Sequence, residues 1–295
     1  MDNHAKGYFY ASISAILIAL SFIINSVVIR ETSPVTAAFY MFAFAALASL
    51  VVIAISKKRI KKLKKYWRQM ALIGFLNSVS AIMWFFSLGL LGPSALGFLT
   101  RFETVFAVIF GVIFLQEKFN KYEALGIAVI IIGALVLSYR GGILAIGAIA
   151  AIITSLSFVA FQFKSKIYVK YIDPMSLNSF RLLLTFPFIF VYSLFVGAIV
   201  PISVVNASLL LFVAIAIAIG AFLAMYKAYE VADLARVAAI RATEPLLIVL
   251  YSLIIFGAFP TEAQFLGGAI ILIGTFLLVF SRKMPKLPLI GEAGD

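Results

Sequence analysis

The chain has no cysteine and a single histidine, His4. Without thiols there is no disulfide framework and no thiolate metal site. One histidine can build neither an imidazole metal cluster nor a Ser-His-Asp triad. Charge is scarce too, at 12% of 295 residues, about half the share found in an ordinary soluble domain. P-loop, HExxH and GxSxG patterns are missing, so ATP-driven transport and the familiar hydrolytic chemistries lack their residues. The chain therefore reads as a non-enzyme that calls for no cofactor and no metal.

What is present is hydrophobic. Apolar residues make up 64% of the sequence, aromatics 15%, and the mean hydropathy is +1.14. Disordered chains are poor in these residues, and a soluble fold of this size could not bury so much apolar surface. The composition implies a polytopic membrane protein.

A bilayer-spanning helix needs about 20 mainly apolar residues. Ten segments qualify, near 8–29, 35–55, 69–90, 96–116, 122–139, 144–164, 175–198, 207–228, 236–256 and 262–280. The first is too long for a signal-peptide h-region and lacks a small-residue cleavage site.

The net charge of +12 could suggest nucleic acid, but its placement argues for topology. Lys6, the run Lys57, Lys58, Arg59, Lys61, Lys62, Lys64, Lys65 and Arg68, and Lys118, Lys121, Lys164, Lys166, Lys170, Lys227, Arg236, Arg282, Lys283 and Lys286 all fall on one side. Only Arg30 and Arg140 fall on the other. Positive residues stay cytoplasmic, which puts both termini inside, with a prokaryotic inner membrane the expected location. The basic run also fits a lipid-headgroup patch, but a topology anchor suffices.

The two halves resemble each other. At a shift of 140 residues, Gly7 meets Gly147, Ser14 meets Thr154, Asn25 meets Ser165, Arg30 meets Lys170 and Pro34 meets Pro174. At 141, Glu103 meets Glu244, Gly126 meets Gly267 and Gly133 meets Gly274. One inserted residue reconciles the registers. Five spans per half is an odd number, so the halves enter the membrane from opposite sides. The expected fold is an all-α polytopic membrane protein, ten transmembrane helices as two inverted five-helix repeats, 1–140 and 141–284, with a cytoplasmic tail over 285–295.

Ionisable groups are costly in hydrocarbon and tend to face a bundle interior. Arg101 and Glu103 fall in the fourth span, Arg181 in the seventh, and Arg241 and Glu244 in the ninth. The assigned topology puts Arg101 toward the outside and Arg181, Arg241 and Glu244 toward the cytoplasm, as two half-gates; interhelical ion pairs serving assembly are the alternative. Arg241 and Glu244 share a helical face, whereas Arg101 and Glu103 point apart and need partners elsewhere.

Polar stripes add candidates: Ser14, Ser21 and Asn25; Asn77, Ser80, Trp84 and Ser87; Ser155, Phe158, Gln162 and Ser165; Asn178, Arg181 and Thr185. Each follows helical spacing, so together they suggest a polar central cavity between spans 1–4 and 6–9. Small polar residues also serve helix packing. Phe22, Trp84, Phe85, Phe158, Phe161, Tyr226 and Tyr229 could stack on a substrate or simply pack. Gly126 and Gly133, like Gly267 and Gly274, are seven apart and point to close packing of spans 5 and 10.

The stretch from Phe114 through Gln116, Glu117, Asn120 and Glu123 to Gly126, the second-half run from Gln264 to Gly274, and Arg181 in its Asn178-Ser-Phe-Arg setting carry a family likeness. On them the chain resembles the drug/metabolite transporter superfamily, specifically its EamA-type members. Three positions depart from that pattern: Ala258 stands where the second copy would carry an acid, Met41 matches Arg181 in the first half, and Thr104 matches Pro245. The resemblance implies export or exchange of small metabolites, often amino acids or amphipathic drugs, by alternating access.

The leading reading is a secondary exporter or facilitator of amino acids or related metabolites, as a monomer or weak dimer in the lipid bilayer, without nucleic acid. Glu103 and Glu244 are candidate proton carriers. An organic-anion or sugar-phosphate exchanger is the alternative, since three intramembrane arginines face two glutamates, and a non-transport scaffold stands behind both.

Overall fold

A computed structural model describes residues 3–55, 65–116, 120–138, 142–197, 199–231, 237 and 240–281. The basic run through Lys64, Lys118, Arg140, Arg236, Arg282, Lys283, Lys286, Glu117 and the tail 285–295 lie outside the described residues, as does the side chain of His4.

The described chain is helical. In order the helices are α1 (Asn3–Glu31), α2 (Pro34–Ile55), α3 (Trp67–Leu99), α4 (Phe102–Leu115) and α5 (Lys121–Leu137) in the first half. The second half holds α6 (Ile143–Tyr168), α7 (Pro174–Val196), α8 (Val204–Val231), α9 (Glu244–Phe256) and α10 (Glu262–Ser281). Seven of them, α1, α2, α3, α6, α7, α8 and α10, are long and apolar enough to cross a membrane, while Phe102–Phe114 and Glu244–Phe256 are apolar but shorter.

Lipid offers no partner for free backbone groups, and several helix starts carry their own. Asn120 accepts from the amides of Tyr122 and Glu123 while the Glu123 carboxylate accepts from the Asn120 amide, a capping box. Asp173 accepts from the Ser176 amide ahead of Pro174, and Ser203 from the Asn206 amide.

The halves pack reciprocally. Helices α5 and α10 lie against each other so closely that a Cβ on Gly133 would sit 2.7 Å from the Gly267 carbonyl oxygen, and one on Gly267 2.7 Å from that of Gly133. Gly126 and Gly274 are opposed in the same way. As the number rises on one helix it falls on the other, so these equivalent helices run antiparallel, as inversion requires. The pairing of α3 with α6, held by Ser87 and Ser80 hydroxyls donating to the carbonyls of Gly147 and Thr154, is mirrored by that of α8 with α1.

Two local features depart from the expected continuous spans. Helix α3 runs past the expected end of the third span; Gly92, at φ 74°, breaks it ahead of Pro93, and Pro93–Leu99 begins the fourth span. That span breaks again at Thr100–Arg101, where the amides of Arg101, Glu103 and Thr104 bond three residues back. The equivalent point of the second half repeats the tight turn, with Thr243 bonding Ile240 and Leu246 bonding Thr243. Both Arg/Glu pairs therefore sit at interrupted helices, the construction by which membrane proteins expose backbone and charge at a central site. The second departure is a π-helical stretch, Val213–Ala221, inside α8.

Toward the bundle end that carries the start of α1 lies an apolar cluster including Ala11, Met70, Phe161, Leu177, Met225 and Tyr226. At the opposite end Asn206 donates to Glu31 at 2.9 Å and the Arg30 guanidinium lies 4.2 Å from the Phe256 ring.

Candidate functional site

Between the two ends lies a cavity of about 110 Å³, room for several water molecules. Its walls come from α1, α2, α3, α6, α7 and α8 with the interrupted fourth and ninth spans; no residue of α5 or α10 reaches it. A second cavity of about 110 Å³ lies beside it, among the fourth span, α6, the end of α8, Arg241 and the last turns of α10.

The charged groups form one central cluster. Arg101 donates from Nη2 to Glu244 at 2.9 Å and from Nη1 to the Arg241 carbonyl at 2.7 Å. Arg241 donates from Nε to Glu244 Oε1 at 2.7 Å and lies 3.4 Å from Glu103 Oε2 through Nη1. Each arginine thus meets the glutamate of the other repeat. The inserted residue makes the exchange unequal: Arg241 and Glu244 are three apart and also pair with each other, whereas Arg101 and Glu103, two apart, point away from one another.

This overturns the expected half-gates. Arg101 cannot lie at the end of the path opposite Glu244 when 2.9 Å separates them. The reason is the inversion itself: equivalent residues of antiparallel spans meet at mid-depth, and an assignment by distance along each span misses the convergence.

Arg181 is set apart. It is 1% exposed, lines the first cavity, and has no carboxylate partner among the described residues. Neutral oxygens hold it instead. Nη2 and Nε donate to Asn178 Oδ1 at 2.7 and 3.2 Å, Nη1 to Asn77 Oδ1 at 2.9 Å, and Nη2 to the Ala218 carbonyl at 3.3 Å. Its guanidinium lies 4.1 Å from the Phe222 ring centre, a cation–π contact. The π stretch has a use here, since the Ala218 and Ile219 carbonyls accept side-chain bonds from Asn178 as well. Asn77 in turn donates to Thr185, fixing which of its amide atoms faces the arginine.

The candidates from the sequence divide by place. Ser21, Asn25, Asn77, Ser80, Trp84, Glu103, Phe158, Arg181, Arg241 and Glu244 line the first cavity. Arg101 and Gln162 line the second, together with Glu103, Phe158 and Arg241. Asn178 and Tyr226 line neither: Asn178 positions Arg181, and the fully buried Tyr226 hydroxyl donates to Ser165 at 3.4 Å. Ser87 serves helix packing by donating to the Gly147 carbonyl of α6, while Ser155 donates to the Ala151 carbonyl one turn back in its own helix and reaches the Thr100 carbonyl of the fourth span at 3.5 Å. Trp84 meets Phe22 and Phe85 edge-on at 4.9 and 5.1 Å, making the aromatic wall.

Sequence reasoning missed Thr100, Thr154 and the lining from Val213, Ile217 and Ala218. Thr100 had a findable signal, its place beside a charged pair; the apolar run of the π stretch had none. Met41, equivalent to Arg181, lines the same cavity, so only one of two symmetric positions supplies charge.

Two inverted helical repeats around a charged, partly polar cavity define an integral, multi-pass membrane transporter of the drug/metabolite type. The chain belongs to the EamA-like transporter family, whose pattern matches twice, over residues 5–139 and 145–280. A crystal structure described only as that of a protein shares the fold, with a TM-score of 0.69 and 14% identity over 94% of this chain and 99% of that one. No curated protein matches the chain.

Proposed function

We propose that this protein moves amino acids or closely related zwitterionic metabolites across a prokaryotic inner membrane, as an exporter or facilitator working by alternating access. The observation that carries the reading is Arg181, a buried cation lining the first cavity with no carboxylate partner among the described residues. A buried charge without a partner is costly, and a substrate carboxylate supplies one. The same cavity offers acceptors for an ammonium group: Asn25 Oδ1, buried with no partner, and the carboxylates of Glu103 and Glu244. Phe22, Trp84 and Phe222 provide apolar surface for a side chain.

In this reading the ten helices span the membrane as repeats 1–140 and 141–284, and the end bearing the N-terminus is cytoplasmic. The unit is a monomer or weak dimer. Glu103 is the candidate coupling carboxylate, because its side chain is 15% exposed against 1% for Glu244 and it holds one contact at 3.4 Å.

The test is flux in proteoliposomes over a panel of amino acids. Saturable flux is expected, and Arg181→Gln should raise KM ten- to a hundredfold, the loss of one charge-assisted bond of about 1.5–3 kcal/mol. No saturable flux across the panel sinks the proposal. The single excess positive charge also favours a second reading, an organic-anion exchanger. Competition separates the two: des-amino carboxylates should compete poorly if the ammonium is read, and at least as well as the amino acid if only the anion is.

A further inference from the structure

The second cavity has a chemistry of its own. It is walled by Phe110, Phe158, Phe163 and Tyr229, and two of its buried lining residues each keep a polar atom without a partner. One is a donor, the Nε–H of Arg101, a residue 3% exposed; the other is an acceptor, Oε1 of Gln162, a residue 5% exposed. The Gln162 amide nitrogen is already engaged with the Met225 sulfur at 3.1 Å, which leaves Oε1 as its open group. Buried polar atoms are rarely left unsatisfied, and an open donor and an open acceptor on residues that line one chamber describe the complement of what fills it.

Charge narrows the class. Arg101 and Arg241 are balanced by Glu103 and Glu244, to which they are bonded, so this chamber has no net charge to offer, unlike the Arg181 cavity. A net anion or net cation gains nothing from it, while a molecule carrying an acceptor and a donor on one small fragment satisfies both open groups. Glu103, Phe158 and Arg241 line both cavities, so a single layer of side chains separates them.

The geometry points to a second substrate subsite in this chamber, for a zwitterionic amino acid whose carboxylate meets Arg101 and whose ammonium meets Gln162 and Glu103. It rests on the transport reading above and extends it to two stations on one path. A solute passes between them when Arg241 releases Glu103 and the Phe158 ring turns aside, and Glu244 keeps both arginines paired meanwhile.

Binding stoichiometry tests it. Tritiated L-alanine and L-phenylalanine are titrated against the full chain in lipid nanodiscs. A Trp67→Phe background leaves Trp84, on the wall of the first cavity, as the only tryptophan reporter. Two molecules per chain are expected at saturation. Gln162→Leu, which removes the acceptor, and Ala107→Leu, which fills the chamber from the fourth span, should each leave one, the molecule that Trp84 reports. A single molecule per chain with a full Trp84 response would show that the chamber holds only water and would overturn the inference while sparing the transport reading. Two molecules in both variants would overturn it as well. Absence of binding and of any Trp84 response would remove the transport reading and the inference together.

Discussion

Replacing Glu244 by Gln strikes the carboxylate that both Arg101 and Arg241 share. Its side chain is 1% exposed, and its two oxygens take donors from Arg241 at 2.7 and 3.3 Å and from Arg101 at 2.9 Å. Without its charge Arg101 loses its paired carboxylate and Arg241 keeps only Glu103, and breaking a buried pair in this way costs about 3–5 kcal/mol. Glu103→Gln removes one 3.4 Å contact from a side chain 15% exposed, so about 1 kcal/mol is expected. The double change Arg101→Gln with Glu244→Gln leaves the Arg241–Glu103 pair balanced and should restore at least half of the loss. Unfolding of the purified protein in mixed micelles, followed by helical circular dichroism, measures all three. Equal costs for the two glutamates, or a double variant no better than Glu244→Gln alone, would refute the idea that Glu244 is the shared anchor of the two repeats.

Other positions give sharper contrasts. Gly133→Ala puts a methyl 2.7 Å from the Gly267 carbonyl oxygen, where backbone cannot yield; a loss of about 1–3 kcal/mol is expected. Gly220→Ala finds its nearest neighbour at 3.6 Å and should change the melting temperature little, so similar shifts for the pair would argue against the α5–α10 seam. Phe158→Ala should cost about 3 kcal/mol and join the two cavities, seen as faster flux with weaker discrimination among amino acids; unchanged flux would mean the ring is no partition. Asn77→Leu takes an acceptor from Arg181 and should raise KM severalfold with kcat less affected, whereas a fall in kcat alone would make Asn77 a structural residue.

Several features were legible because they depend on local spacing. The paired glycines reach the α5–α10 seam because seven residues bring two positions to one helical face, and close packing needs nothing else. Of the polar stripes, Ser21, Asn25, Asn77, Ser80 and Arg181 lie on the walls of the first cavity for the same reason, whereas Ser14, Ser87, Ser155, Ser165 and Thr185 line neither cavity. Asn178 and Tyr226 misled because a stripe reports which way a side chain faces, not whether it reaches open space or grips a neighbour. Asn178 holds Arg181, which lines the path, and the buried Tyr226 hydroxyl bonds Ser165, which does not.

By itself the sequence determined that the protein lives in lipid, that it is built of two inverted halves, and that Arg101, Arg181, Arg241 and Glu244 are buried, though not that Glu123 is buried as well. Those conclusions follow from composition, periodicity and an odd number of spans, all properties of the chain read in order. Only the tertiary structure decided that Arg101 and Glu244 are partners, that Arg181 has none of the opposite charge among the described residues, and that two chambers meet at Glu103, Phe158 and Arg241. An ion pair across 143 positions depends on how antiparallel helices are brought together in depth, and no spacing along one strand of sequence carries that information.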